Sequence, residues 1–216
     1  MATNAIEYTA DEVALIKTVG ERELDWGCDE LNTLRGRIKQ FYLKDQGLRC
    51  CYCRRRNATT HGRAWDIEHV IAQASHPTFM FEPENLAVAC IDCNSAKRDQ
   101  VVLVKPRKTF PRESAAYSIV HPHYDRWEEH FMFGTVVYAA KTAKGARTIE
   151  LCRLWRFYEL EGQDALFSQD RRYADLAEQV LFARTAHEAE PSVLAINALI
   201  KQAVEAEVRA EDTGQA

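Results

Sequence analysis

The sequence contains no run of about 18 consecutive apolar residues, the length a helix needs to cross a bilayer, so no membrane span is expected. Its first residues, Met1 to Tyr8, lack a basic cluster followed by an apolar core and do not read as a secretory leader. A cytoplasmic protein is the expectation. Internal repeats and long low-complexity tracts are also missing, which leaves ordinary packed domains. Net positive charge is absent too. The formal balance is -4 over 216 residues, which argues against indiscriminate coating of nucleic acid. What remains, 46% hydrophobic and 28% charged, suits one globular domain or a small domain with helical additions.

The charge is unevenly placed. Between Leu48 and Arg112 there are eleven Lys or Arg against six acids, a balance of +5, and the rest of the chain carries -9. A basic block inside an acidic protein suits a localised phosphate-contacting surface, and equally a solvated mixed-charge one. From Glu159 to Ala216 twelve acids face five Lys or Arg. That tail is not expected to touch phosphates; it suits packing against the rest of the chain or docking to another protein.

Periodicity divides the chain into four segments. Residues 1–47 are helical, with Val13, Leu15, Ile16 and Val19 on one face and Leu31, Leu34, Ile38, Phe41 and Tyr42 on a second. Asp29 is the expected N-cap of that second helix and Gly47 its stop. Residues 48–105 form a cysteine-rich core. Residues 106–158 are mixed strand and loop, with strand-like runs at Thr135–Ala140 and Arg147–Leu151 around a Lys144-Gly145 turn. Residues 159–216 are acidic helices, one over Leu166 to His187 and another opened by Pro191.

Seven cysteines are present, an odd count that gives poor support for disulfides. Spacing is more informative. Cys50-Cys51-Tyr52-Cys53 and Cys90-Ile91-Asp92-Cys93 are two C-x-x-C pairs. Two intervening residues let both thiolates of a tight turn face one ion, and two such knuckles complete a tetrahedral site for structural Zn²⁺. Cys50, Cys53, Cys90 and Cys93 are the expected ligands, with Cys51 a bystander unless the register is shifted. Cys28 and Cys152 read as ordinary buried thiols. A four-cysteine site alone says nothing about catalysis.

Between and beyond the knuckles lie Trp65-Asp66-Ile67-Glu68-His69, with strand-like alternation, then Glu84-Asn85-Leu86, then Cys93-Asn94-Ser95-Ala96-Lys97 at a helix start. With these elements in this order the chain resembles the HNH, or ββα-metal, nuclease family over about Cys50 to Asp99. The resemblance implies an α+β fold: a zinc-stapled, treble-clef-like ββα-metal core with N-terminal and C-terminal helical extensions. It implies that His69 is the general base, that Glu68 and Asn94 hold a catalytic Mg²⁺ or Mn²⁺, and that Asn85 orients His69 through side-chain to backbone hydrogen bonds. Lys97 lies on the same helix face as Asn94 and would reach a phosphate. The family often has Asp where this chain has Glu68. Asp66, on the same strand face as Glu68, either supports the metal site or is a solvated side chain.

The chemistry is coherent without the family name: phosphodiester hydrolysis needs a base for water and a cation for the developing charge. Arg54, Arg55, Arg56 and Arg98 are expected nucleic-acid contacts, with salt-sensitive binding. His121-Pro122-His123-Tyr124-Asp125 suggests a second metal cluster at first sight, though proline-constrained loops often hold histidines for packing. With Glu129-His130-Phe131 and Thr148-Ile149-Glu150-Leu151, that segment is similar to small HNH proteins of bacterial anti-phage systems such as Septu, which act with an ATPase partner. The implied protein is an endonuclease acting on DNA beside an ATPase. The alternatives are a zinc-dependent module that binds nucleic acid or protein without cutting, and a nuclease acting on RNA.

Overall fold

In a computed structural model, residues 3–22, 25–133, 138–157 and 171–212 are described. They form a mixed helix and strand protein with seven α-helices and two two-stranded antiparallel sheets among the described residues. No helix among them is long and apolar enough to cross a membrane. The chain divides into two compact units, residues 1–127 with 151–153, and residues 128–150 with 154–216. The N-terminal helices therefore belong with the cysteine-rich segment, and the first unit extends beyond residue 105.

In the first unit, α1 (Ala10–Arg22) starts from a capping box. The Thr9 N–H donates to Glu12 Oε2 at 2.8 Å, and the Glu12 N–H donates to Thr9 Oγ1 at 3.3 Å. Arg37 reaches the same Glu12 carboxylate and ties α1 to α2 (Asn32–Asp45). Asp29 does not cap α2. It heads a 3-10 turn, Asp29–Leu31, and Leu31 occupies the N-cap with no side-chain bond. The other end closes as the glycine predicts. Gly47 sits at φ +60°, the Gly47 N–H donates to the Lys44 carbonyl at 3.1 Å, and the Leu48 N–H donates to the Leu43 carbonyl at 2.9 Å. That reciprocal pair is a Schellman motif, which turns the chain directly into the first knuckle. Leu34, Ile38, Tyr42 and Leu43 form the buried face of α2.

Strands β1 (Trp65–His69) and β2 (Leu86–Cys90) pair antiparallel, Trp65 opposite Cys90 and His69 opposite Leu86. Helix α3 (Ile91–Lys97) follows at once. The small residues Ala87 and Ala89 let neighbouring elements approach β2, whose middle is fully buried. The buried Gln46 amide bonds β2 like a short extra strand, accepting from the Val88 N–H at 2.8 Å and donating to the Val88 carbonyl at 2.9 Å. Cys51 N–H donates to the same carbonyl at 3.0 Å, so the first knuckle is seated on β2 through backbone. The unit also contains the first residue of α4 (Trp127–His130).

In the second unit β3 (Phe131–Phe133) pairs with β4 (Tyr138–Ala140). The expected strand at Arg147–Leu151 is instead helical, within α5 (Ala143–Leu151). Thr142 starts that helix by accepting from the Gly145 N–H at 3.2 Å. A Cβ at Gly145 would lie 2.2 Å from the His130 carbonyl oxygen, so this glycine serves a close backbone approach rather than a turn. The expected helix over Leu166 to His187 is α6 (Arg171–Phe182), with 166–170 and 135–137 outside the described residues. Thr185 then accepts from the Glu188 N–H at 3.2 Å and starts α7 (Ala186–Asp212). Pro191 is thus inside α7, because the Thr185 cap six residues upstream sets the start. Tyr173, Ala177 and Val180 of α6 pack on Ala189, Val193 and Ile196 of α7, with Ala139 of β4.

Candidate metal and catalytic centre

The thiol atoms of Cys50, Cys53, Cys90 and Cys93 all lie within 4.8 Å of one another. Four sulfurs around a zinc at about 2.3 Å would sit about 3.8 Å apart, so the cluster could hold such an ion with little adjustment. Burial raises the Cys50 thiol, but hydrogen bonds from the surrounding thiols outweigh it and hold Cys50 well below its usual range. Hydrogen bonding to Cys50 in turn pushes the Cys53 and Cys93 thiols up. One thiolate therefore discourages the next, a repulsion that a divalent cation relieves. Cys51 lies outside the group, and among the described residues no other group of three or more His, Cys, Asp or Glu side chains is drawn together in this way.

His121 and His123 are packing residues in this structure. His123 Nε2 donates to the Leu86 carbonyl at 2.8 Å, and the His121 ring stacks on Tyr124 at 4.2 Å. Asp125 Oδ2 accepts from the His121 N–H at 2.7 Å and closes the turn.

Strand β1 and helix α3 face each other in two rungs. Asp66 and Glu68 share one strand face, and Asn94 and Lys97 share one helix face. In the first rung the Asn94 amide donates to Asp66 Oδ2 at 2.8 Å. In the second, the Lys97 ammonium lies 2.6 Å from Glu68 Oε1, and the Tyr52 hydroxyl donates to the same oxygen at 2.8 Å. Both side chains of the second rung are almost wholly buried, at 1% and 2% exposure. Burial pushes the Glu68 carboxyl up, while Lys97 and Tyr52 act against that push.

Two expectations change here. Glu68, read as a ligand of the catalytic cation, does line the cavity that holds His69, but its Oε1 is held by Lys97 and Tyr52. Lys97, read as a phosphate contact, also donates to the His69 carbonyl at 3.0 Å and does not reach solvent. The physical reason is depth: both rungs obey the same periodicity, and only packing decides which is sealed. Lys97→Met is expected to cost about 3–5 kcal/mol by leaving a buried carboxylate unpaired, whereas Glu68→Leu with Lys97→Met is nearly neutral. Urea unfolding of both variants measures the difference; equal losses would contradict the pairing.

The open rung, Glu68 and His69 line one cavity of about 770 Å³, together with Trp26, Arg35, Lys39 and Arg98. The His69 ring is clamped. Its edge-to-face contact with Trp26 has centroids 4.6 Å apart, and Nε2 lies 3.1 Å from the Met80 carbonyl. A carbonyl only accepts, so Nε2 carries the hydrogen and Nδ1 keeps its lone pair. Burial, the largest influence, together with the Lys97 charge and against the Met80 bond, lowers the His69 pKa to about 4. The imidazole is therefore neutral at pH 7.

Asn85, fully buried, holds the loop after β1. Its Oδ1 accepts from the Ile71 N–H at 2.7 Å, and its Nδ2 donates to the Ile71 and Phe79 carbonyls, each at 3.0 Å. Since Met80 follows Phe79, this amide fixes the segment that orients His69.

The cationic residues sort differently from the sequence reading. Arg98 lines the cavity, at φ 50° just beyond α3, while Arg54 and Arg55 are not among its lining residues. Arg35 and Lys39 of α2 and Trp26 are new. A helical wheel puts Arg35 and Lys39 on one face, a signal the sequence did carry; Trp26 sits in a loop with no pattern to mark it. Comparison with family models, curated proteins and solved structures finds no match for the chain.

Proposed function

We propose that the chain is a metal-dependent phosphodiesterase of the HNH type, an endonuclease whose substrate is DNA. The observation that carries this reading is the single cavity shared by the clamped neutral His69 and the Asp66–Asn94 rung. Nothing in a purely structural zinc module requires a histidine with a directed lone pair beside a carboxylate and an amide. The order β1, β2, α3, with the four-thiolate group at its base, supports a zinc-stapled ββα core.

In this reading Zn²⁺ occupies the thiolate group. Asp66 Oδ1 or Oδ2 and the Asn94 amide oxygen would hold one Mg²⁺ or Mn²⁺; they are hard oxygen donors beside open space, as such ions require. That ion would supply charge stabilisation for the leaving oxygen. His69 Nδ1 takes the proton of the attacking water, and Trp26, Met80 and Asn85 keep Nδ1 aimed into the cavity. Arg98 and Arg35 offer positive charge to the phosphate oxygens. Glu68, at the cavity wall, and the buried Lys97 behind it hold β1 against α3.

The test is nicking of supercoiled plasmid by zinc-loaded protein with added Mg²⁺ or Mn²⁺. Asp66→Ala and Asn94→Ala are expected to lose activity by at least about 100-fold with their melting temperatures held. Retention of full activity in Asp66→Ala would sink the assignment of the cation site. The anti-phage context and ATPase partner rest on the resemblance alone, and co-purification of an ATPase with the full chain is their test.

A further inference from the structure

A second cavity, of about 530 Å³, adjoins the one that holds His69, and the two share the α2 residues Gly36 and Lys39. Gly36, Gln40 and Leu43 recur at three- or four-residue steps, so a single stripe of α2 forms one wall, which Gly47 continues just past the helix end. Lys39, Lys44 and Arg56 supply its charge, and its lining residues include no acid. Lys39 spends one of its three hydrogens on the Gly62 carbonyl at 2.8 Å, which fixes the ammonium at the junction. Lys44 and Arg56 are exposed and belong to no ion pair among the described residues.

Gly36 is the decisive position. A Cβ built there meets nothing within 4 Å, so the passage between the cavities is open space floored by backbone. Its φ is not positive, so no backbone requirement calls for glycine. Glycine in the middle of a helix is unfavourable, and what it provides here is clearance.

We propose that the strand being cut leaves the His69 cavity across Gly36 and lies along this second cavity, with its phosphates on Lys39, Lys44 and Arg56. From Gly36 to its end at Asp45 α2 advances about 14 Å at about 1.5 Å per residue, the rise of about four stacked nucleotides at about 3.4 Å each. The site then requires a polynucleotide extending about four nucleotides to one side of the broken bond. Dinucleotides and small diesters bind poorly. The proposal rests on the nuclease reading for what happens at His69, and on charge and shape for the track itself.

The experiment measures fluorescence anisotropy of a labelled single-stranded 20-mer with the zinc-loaded full chain, without added Mg²⁺, in deoxyribose and ribose forms. Lys44→Glu with Arg56→Glu is expected to weaken binding at least about tenfold. It also flattens the slope of log K against log salt by about 1.4, the loss of two single-strand phosphate contacts. Gly36→Glu is expected to weaken binding to a similar degree with no fall in melting temperature, since its side chain enters open space. Both sugars should respond alike, because phosphates are what is read. Unchanged affinity and slope in both variants would overturn the track. So would a loss confined to one sugar. A parallel cleavage series, with one to eight nucleotides on each side of the labelled bond, separates the two readings. Wild type that binds as expected yet cuts nothing defeats the nuclease assignment and leaves the track standing. Cutting that ignores length defeats the track and leaves the nuclease.

Discussion

Cys93→Ser is expected to abolish the cooperative unfolding transition of the first unit, and prolonged chelation of the wild-type protein is expected to do the same. Cys93 is wholly buried and meets three other thiols within 4.8 Å. If they hold Zn²⁺, the ion joins two segments about forty residues apart, one seated on β2 and the other opening α3. Apparent binding free energies of structural zinc are about 10–16 kcal/mol, as large as the whole stability of a typical domain at about 5–15 kcal/mol. A serine in the set forfeits much of that and leaves a hydroxyl among thiolates. Cys51→Ser is the control, because Cys51 is also buried but outside the group. Its loss should be about 1–2 kcal/mol, the cost of burying a hydroxyl there, which can still donate to Cys50 as the thiol does. Zinc content by elemental analysis and far-ultraviolet circular dichroism on heating check both. A Cys93→Ser protein that melts as wild type, or equal effects at Cys51 and Cys93, would remove the metal from the fold.

The sequence carried this centre clearly because its information is local. C-x-x-C spacing brings two thiols together within one turn, and the strand and helix periods put Asp66 with Glu68 and Asn94 with Lys97. Which rung faces solvent is not local. It depends on Tyr52 of the first knuckle lying behind Glu68, a contact sixteen residues away that no period encodes. The same holds for Trp26 on His69, which comes from a loop before α2. In the second unit the β-branched Thr148 and Ile149 gave Arg147–Leu151 a strand-like pattern. The Thr142 cap and the contact of Gly145 with the His130 backbone outweigh that preference. Pro191 misled in the other direction: it lies beyond the first turn of α7, where it has no N–H to offer the ladder, and the Thr185 cap rather than the proline sets the start.

His69→Ala is expected to lower plasmid cleavage by about 100- to 10,000-fold, the range for removing a positioned general base. Because burial depresses the imidazole to about 4, the wild-type acid limb should lie well below the usual 6.5, nearer 4. A profile that falls around 6.5 would mean that His69 is not the base, or that it is exposed during turnover. The same depression has a stability consequence of defined sign. The folded pKa lies below the unfolded one, so the unfolded chain binds more protons between about 6.5 and 4, and stability falls as the pH drops through that window. A gap of that size corresponds to about 3 kcal/mol, present in full above 6.5 and lost by about pH 4. His69→Gln, which keeps bulk beside Trp26 but does not titrate, should lack that portion of the decline. Urea unfolding at pH 7 and pH 4.5 for the two proteins measures it. Cleavage that survives His69→Ala would remove the imidazole from the chemistry, whatever the pH dependence of stability.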